Sequence, residues 1–175
     1  MRFLMTFVLA VGALSATTLE KLTFEEMVAK STGIVRGRVS FSHVQQHGAI
    51  YYTHYKVQVS ERLKGPESPV LDIVLPGGTI GRSQQTFSGV PTLPNDSDLA
   101  LFLWTSKSGL THIIGLSQGI LQISKDAAGQ IVLSREPIRD GIVDPKTGRA
   151  AADDGMRMTM NEFNSRVRSV MGGSR

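Results

Sequence analysis

Cysteine is absent from this 175-residue chain. That excludes disulfides, and it excludes the lipid anchor that signal peptidase II processing leaves on a cysteine. Stability must come from a packed core. Past residue 14 the chain also lacks any apolar run near the roughly 20 residues needed to cross hydrocarbon. The mature chain is therefore expected to carry no membrane span. Blocks of like charge are missing as well, so nothing reads as a charged tail. There is no internal repeat and no extended low-complexity tract.

What is present is an ordinary globular composition, 41% hydrophobic and 19% charged, of a length that suits one domain. The net charge is +4. Removing Arg2 with a leader takes +4 to +3, a mild preference for acidic partners. The N-terminus has the layout of a secretory signal peptide: Arg2, an apolar stretch over 3–14, then small residues. We expect cleavage near 13–16 and a secreted or periplasmic bacterial address.

The pattern then predicts elements. Thr23 and Glu26 form a capping box, and Phe24, Met27 and Val28 repeat at helical spacing, which predicts a helix over 24–31. From Ile34 the period changes to two. Strands over 34–42 and 51–60, separated by the polar turn 45–48, predict a hairpin. Gly37 inside the first strand predicts a bend or bulge. A third strand is expected at 70–75. LALFLW, residues 99–104, is apolar on both faces and reads as the central strand. Further strands follow at 110–116, 120–124 and 131–133. Thr159 and Glu162 form a second capping box. Met160, Phe163, Val167, Val170 and Met171 then make one helical face, expected to pack on the protein itself rather than on a partner. The expected fold is mostly β: an OB-like barrel of five to six strands over 22–135, with a short N-terminal helix. An irregular linker at 136–157 and a C-terminal helix at 158–171 complete it.

Residues 115–119 read GLSQG, the G-x-S-x-G pattern of a nucleophile elbow. The elbow requires a strand before the serine and a helix after it, with a histidine later in the chain. Here Ile120–Ser124 alternates as a strand. All four histidines, His43, His47, His54 and His112, precede Ser117. The stretch is expected to be a kink between strand segments, and no enzyme activity is expected. His43 and His47 are four apart on a hairpin, where the helical logic of that spacing fails. With His54 they are expected to be rim histidines rather than a metal site. Asn95–Asp98 lacks the bidentate glutamate of a calcium loop, and the glycines at 77–81 lack the Lys-Ser/Thr of a P-loop; both are expected to be turns. No cofactor or metal is expected.

Two surfaces remain. The segment 77–98 is long for a loop in a compact domain, and such loops are often functional. Its candidate partner-binding residues are Arg82, Gln84, Gln85, Phe87 and Pro91. The outer side of the first two strands collects Arg36, Arg38, Tyr52, His54 and Lys56, a candidate polyanion face.

One resemblance joins these observations. GIVRGRV at 33–39, YYTHYKVQV at 51–59, LKG at 63–65, LALFLW, GLTHI at 109–113 and GLSQG together resemble a netrin-like module, over about residues 33–125. That group includes the tissue inhibitors of metalloproteinases. The chain also resembles uncharacterised exported bacterial proteins with LKG and GLSQG-like elements. The resemblance implies an OB-type five-stranded barrel and an extracellular binding role. The inhibitors reach a protease zinc through an N-terminal cysteine, and that device is absent here. The expected function is a non-enzymatic exported module engaging a protein partner, a protease being one such partner, through 77–98. The alternative is binding a polysaccharide or nucleic acid through the basic face.

Overall fold

The computed structural model describes residues 19–139 and 141–173. The expected signal peptide, 1–16, lies outside them. After a two-residue strand β1 (Leu19–Glu20), helix α1 (Phe24–Lys30) starts where the capping box placed it. The Thr23 hydroxyl accepts from the Glu26 amide, and the Glu26 carboxylate accepts from the Thr23 amide at 2.8 Å. Phe24, Met27 and Val28 are the buried face.

The period-two region folds as the expected hairpin, but longer. Strands β2 (Gly33–His47) and β3 (Ile50–Lys64) each run for fifteen residues. The register slips between Arg36 and Gly37. A Cβ on Gly37 would lie 2.5 Å from the Gln58 carbonyl oxygen, so glycine is needed where the strands close in. Strand β4 (Val70–Pro76) pairs with β3. A small hairpin, β5 (Gly78–Ile80) and β6 (Ser83–Gln85), follows. Strand β7 (Asp98–Thr105), which contains LALFLW, returns to pair with β2. Its far end pairs with β8 (Thr111–Ile113), and β8 lies parallel to β4. The order β2–β3–β4–β8–β7 and back to β2 closes a ring of five strands.

GLSQG is not a kinked strand. Leu116–Gly119 is one turn of 3₁₀ helix between β8 and β9 (Ile120–Lys125). Strand β9 pairs with the first half of β7, and β10 (Ile131–Arg135) extends the sheet beyond it. The segment 136–157 contains β11 (Ile142–Val143), which lies parallel to β1, and the start of β12 (Met156–Thr159), which pairs with β10. Helix α2 (Met160–Gly172) follows directly, with the Thr159 hydroxyl accepting from the Glu162 amide.

Alternation along the strands fills two cores, one on each side of the sheet. Inside the ring lie Val35, Val57, Ile73, Leu75, Leu99, Leu101 and Leu103. On the opposite side, Ile34, Ala100, Phe102, Leu121 and Leu133 are covered by α1 and α2. Phe24, Phe102 and Phe163 meet edge to face there, with centroids 5.6 to 6.0 Å apart. Met160, Phe163, Val167 and Val170 of the α2 stripe thus pack on their own chain, while Met171 stays exposed. Among the described residues no helix is long and apolar enough to cross a membrane.

Candidate functional site

Strand β2 pairs with β7 only from Gly33 to Arg38. Beyond Val39 the β2–β3 hairpin stands free of β7, and its inward side chains, Val44, Thr53 and Tyr55, need another cover. The β5–β6 hairpin and the stretch 86–92 supply it. They lie across the opening as a flap.

Three contacts fix the flap. The Gly77 amide donates to the Tyr51 carbonyl at 2.7 Å. The Thr53 hydroxyl donates to the Gly77 carbonyl at 2.8 Å. The Gln85 side chain behaves as a missing strand neighbour: its Oε1 accepts from the Tyr51 amide and its Nε2 donates to the Ala49 carbonyl, both at 2.8 Å. Gly78 sits against the hairpin at φ 143°, where a Cβ would meet both Val44 methyls and the Thr53 hydroxyl within 3 Å.

A cleft of about 380 Å³ remains between flap and hairpin. Val44, Tyr55, Leu75 and Val90 form its apolar floor. Thr79, Gln84, Thr86, Pro91 and Thr92 line its walls with Phe87. No ionisable side chain other than the phenol of Tyr55 lines it. Burial pushes the Tyr55 phenol up, outweighing a hydrogen bond with the Leu93 backbone, so it stays neutral at physiological pH. Phe87 remains 42% exposed at the cleft.

Of the five partner-binding candidates, Gln84, Gln85, Phe87 and Pro91 therefore share one cleft. Gln85 spends its amide on anchoring the flap. Arg82 lies in the exposed turn of the flap, outside the lining. Sequence reasoning missed Val44, Tyr55 and Leu75 as lining. Tyr55 and Leu75 are buried core positions, and only the overhang of the hairpin puts the cleft next to them. The expected turn at 95–98 forms just before β7, whose first residue is Asp98: the Asp96 amide donates to the Val39 carbonyl, and the Ser97 hydroxyl donates to the Pro94 carbonyl.

The basic face changes character. Arg36 pairs with Glu61 at 2.6 Å. Arg38 makes a two-pronged pair with Asp98, whose carboxyl is held low by those bonds. Lys56 and His54 share Asp72, each at 3.1 Å. His54 is buried rather than solvent-facing, at 6% exposure. Tyr52 stays half-buried against the edge of the His47 ring. The cations of this row are thus balanced by acids that are distant in sequence.

His43 and His47 do share a face. On a strand, residues four apart fall on the same side as surely as on a helix, because two periods of two make four. The Ser117 hydroxyl sits in the 3₁₀ turn, while His112, the histidine nearest in sequence, bonds the Val74 carbonyl and stacks on Trp104. No family model, no curated protein and no solved structure matches the chain.

Proposed function

We propose that this protein is an exported, non-enzymatic binding module that holds a protein partner in the cleft under the 78–85 flap. The carrying observation is the cleft itself: an apolar floor, uncharged polar walls and an exposed Phe87. Such a lining suits an uncharged peptide segment or an apolar side chain, since a buried charge would find no counter-charge there. Aromatic side chains at the edge of a desolvated pocket are the usual anchors of protein interfaces. A protease is one partner consistent with the netrin-like resemblance.

The same proposal takes the five-stranded ring as an OB-like barrel. The ring has the Greek-key character of that fold: its fourth strand in chain order, β7, returns to pair with the first, β2. The polyanion reading has weaker support, because Arg36, Arg38 and Lys56 each face a carboxylate.

The test is capture from the organism's exported fraction with the mature protein, beside Phe87→Ala and Gln84→Ala variants of unchanged circular dichroism. The expected result is a captured protein that survives high salt and is lost with Phe87→Ala. Equal capture by all three would overturn the cleft as the binding surface. Capture that disappears with salt alone would favour the polyanion reading.

A further inference from the structure

We propose that His43, His47 and His54 form a site for a divalent transition ion of the zinc or copper class, with Asp72 as its positioning carboxylate. This site lies on the outer face of the β2–β3 hairpin, away from the cleft lining. It goes beyond the binding function and does not depend on it.

The backbone brings the imidazoles together. His43 pairs directly with His54 across the hairpin, so both side chains leave the same face. His47 projects from that face four residues on. The rings of His43 and His54 lie 5.1 Å apart, and those of His47 and His54 lie 6.1 Å apart. Metal–nitrogen bonds of about 2.1 Å in a tetrahedral shell place ligating imidazole centroids about 5 Å apart. The His43–His54 spacing already matches this, while the 6.1 Å between His47 and His54 is wider. The ring planes do not match: His43 and His54 are stacked at 22°. Among the described residues no three His, Asp or Glu groups converge on one point in this conformation. Binding therefore turns the His43 and His47 rings about their side-chain torsions. Both sit on the part of β2 that has left β7, and His47 is exposed.

The polar atoms point to a ligand. His54 is 92% buried as a side chain, since 8% is exposed. Its Nδ1 lies 3.1 Å from Asp72 Oδ2. The same Asp72 oxygen also lies 3.1 Å from Lys56 Nζ. With Nδ1 donating to that carboxylate, the lone pair of a neutral ring lies on Nε2. That Nε2 is buried and has no hydrogen-bond partner, and neither has His43 Nδ1. Buried imidazole nitrogens without partners are costly. A carboxylate on one ring nitrogen, leaving the other free, is the arrangement that orients histidine ligands in metal sites. Neutral imidazoles suit zinc, copper and nickel.

The test uses the full chain without an affinity tag. Zn²⁺ and Cu²⁺ are titrated by calorimetry, and histidine ring resonances are followed by nitrogen-edited NMR. The expected result is saturable binding of one ion per chain that shifts His43, His47 and His54 and leaves His112 in place. A double variant, His43→Gln with His47→Gln, should fold normally and lose saturable binding. Asp72→Asn should weaken binding about tenfold or more and change the His54 tautomer read from its nitrogen shifts. The proposal is overturned if neither ion binds saturably, if the double variant binds as tightly as the parent, or if His112 is the ring perturbed. An unchanged His54 tautomer and affinity in Asp72→Asn would overturn the role given to Asp72.

Discussion

The amide of Gln118 is 1% exposed, and both its polar atoms bond the chain where it enters the fold. Its Oε1 accepts from the Leu22 amide and its Nε2 donates to the Glu20 carbonyl, each at 2.8 Å. In GLSQG the glutamine, not the serine, therefore has the structural task. Gln118→Leu should cost about 2 kcal/mol in a denaturant titration, because it removes hydrogen bonds from two part-buried backbone groups. Ser117→Ala should be nearly silent in the same titration. No local pattern announces this role, since the bond spans 96 residues. A second buried polar pair, Arg135 with Asp153, was also invisible from sequence. The two join in a two-pronged pair at 2.6 and 2.9 Å, and the Asp153 carboxylate also accepts from the Ile138 amide. The Arg135 hydrogen bond holds the Asp153 carboxyl below its usual range against the cost of burial. A carboxyl lowered by folding stabilises above its unfolded pKa of about 3.9, and that contribution is lost as pH falls through the folded value. Asp153→Asn should lower stability at neutral pH and flatten the acid limb of a stability–pH profile below about pH 4. A parallel downward shift with an unchanged acid limb would show that this pair does not supply the pH dependence.

Elements with a long period were legible, and short ones were not. The β2–β3 hairpin, LALFLW as the central strand and α2 all rest on patterns of six residues or more, and the Thr23 capping box on a specific four-residue one. The flap reads as a loop because β5 and β6 have three residues each, too few to show an alternation, and β6 is all serine and glutamine. Strand β12 straddles the expected linker at 136–157 and the expected helix at 158–171, because its four residues inherit their pairing from β10. The candidate site suffered most, since the cleft depends on how far a hairpin overhangs a ring. Cross-strand acids hid in the same way. Glu61, Asp72 and Asp98 neutralise the basic row only once the register is known. The flap's attachment makes a prediction at this scale. Gln85→Ala removes the partners of the Tyr51 amide and the Ala49 carbonyl. Hydrogen exchange at Tyr51 and along 78–85 should speed up by an order of magnitude or more, since about 1.4 kcal/mol of lost local stability is tenfold. Exchange in α2 should not change. If the flap exchanges at the parent rate, the Gln85 bonds do not hold it.

The two cores lie on opposite sides of the same strands. Val35 faces one core and Ile34 the other, and Leu101 and Phe102 are divided in the same way. Neither core can lose its packing without loosening the backbone that presents the other. Helix α2 closes the second core from the far end of the chain: Phe163 is fully buried between Phe24 and Phe102, and Arg166 lies over the Phe24 ring, 4.3 Å from its centroid, while bonding Glu25. The chain should therefore unfold as one cooperative unit despite its two cores. Phe163→Ala, which leaves a cavity beneath α2, should cost about 4 kcal/mol. Trp104 provides a separate probe, because it sits on β7 beside β8, at the ring rather than under the helices. In the Phe163→Ala variant, Trp104 fluorescence and far-ultraviolet circular dichroism should still trace a single denaturant transition, moved to lower concentration. A Trp104 transition that stays at the parent midpoint while the dichroism falls early would mean that the ring stands alone and that the helical layer is an addition to it. The shared strands β2 and β7 argue for the first outcome.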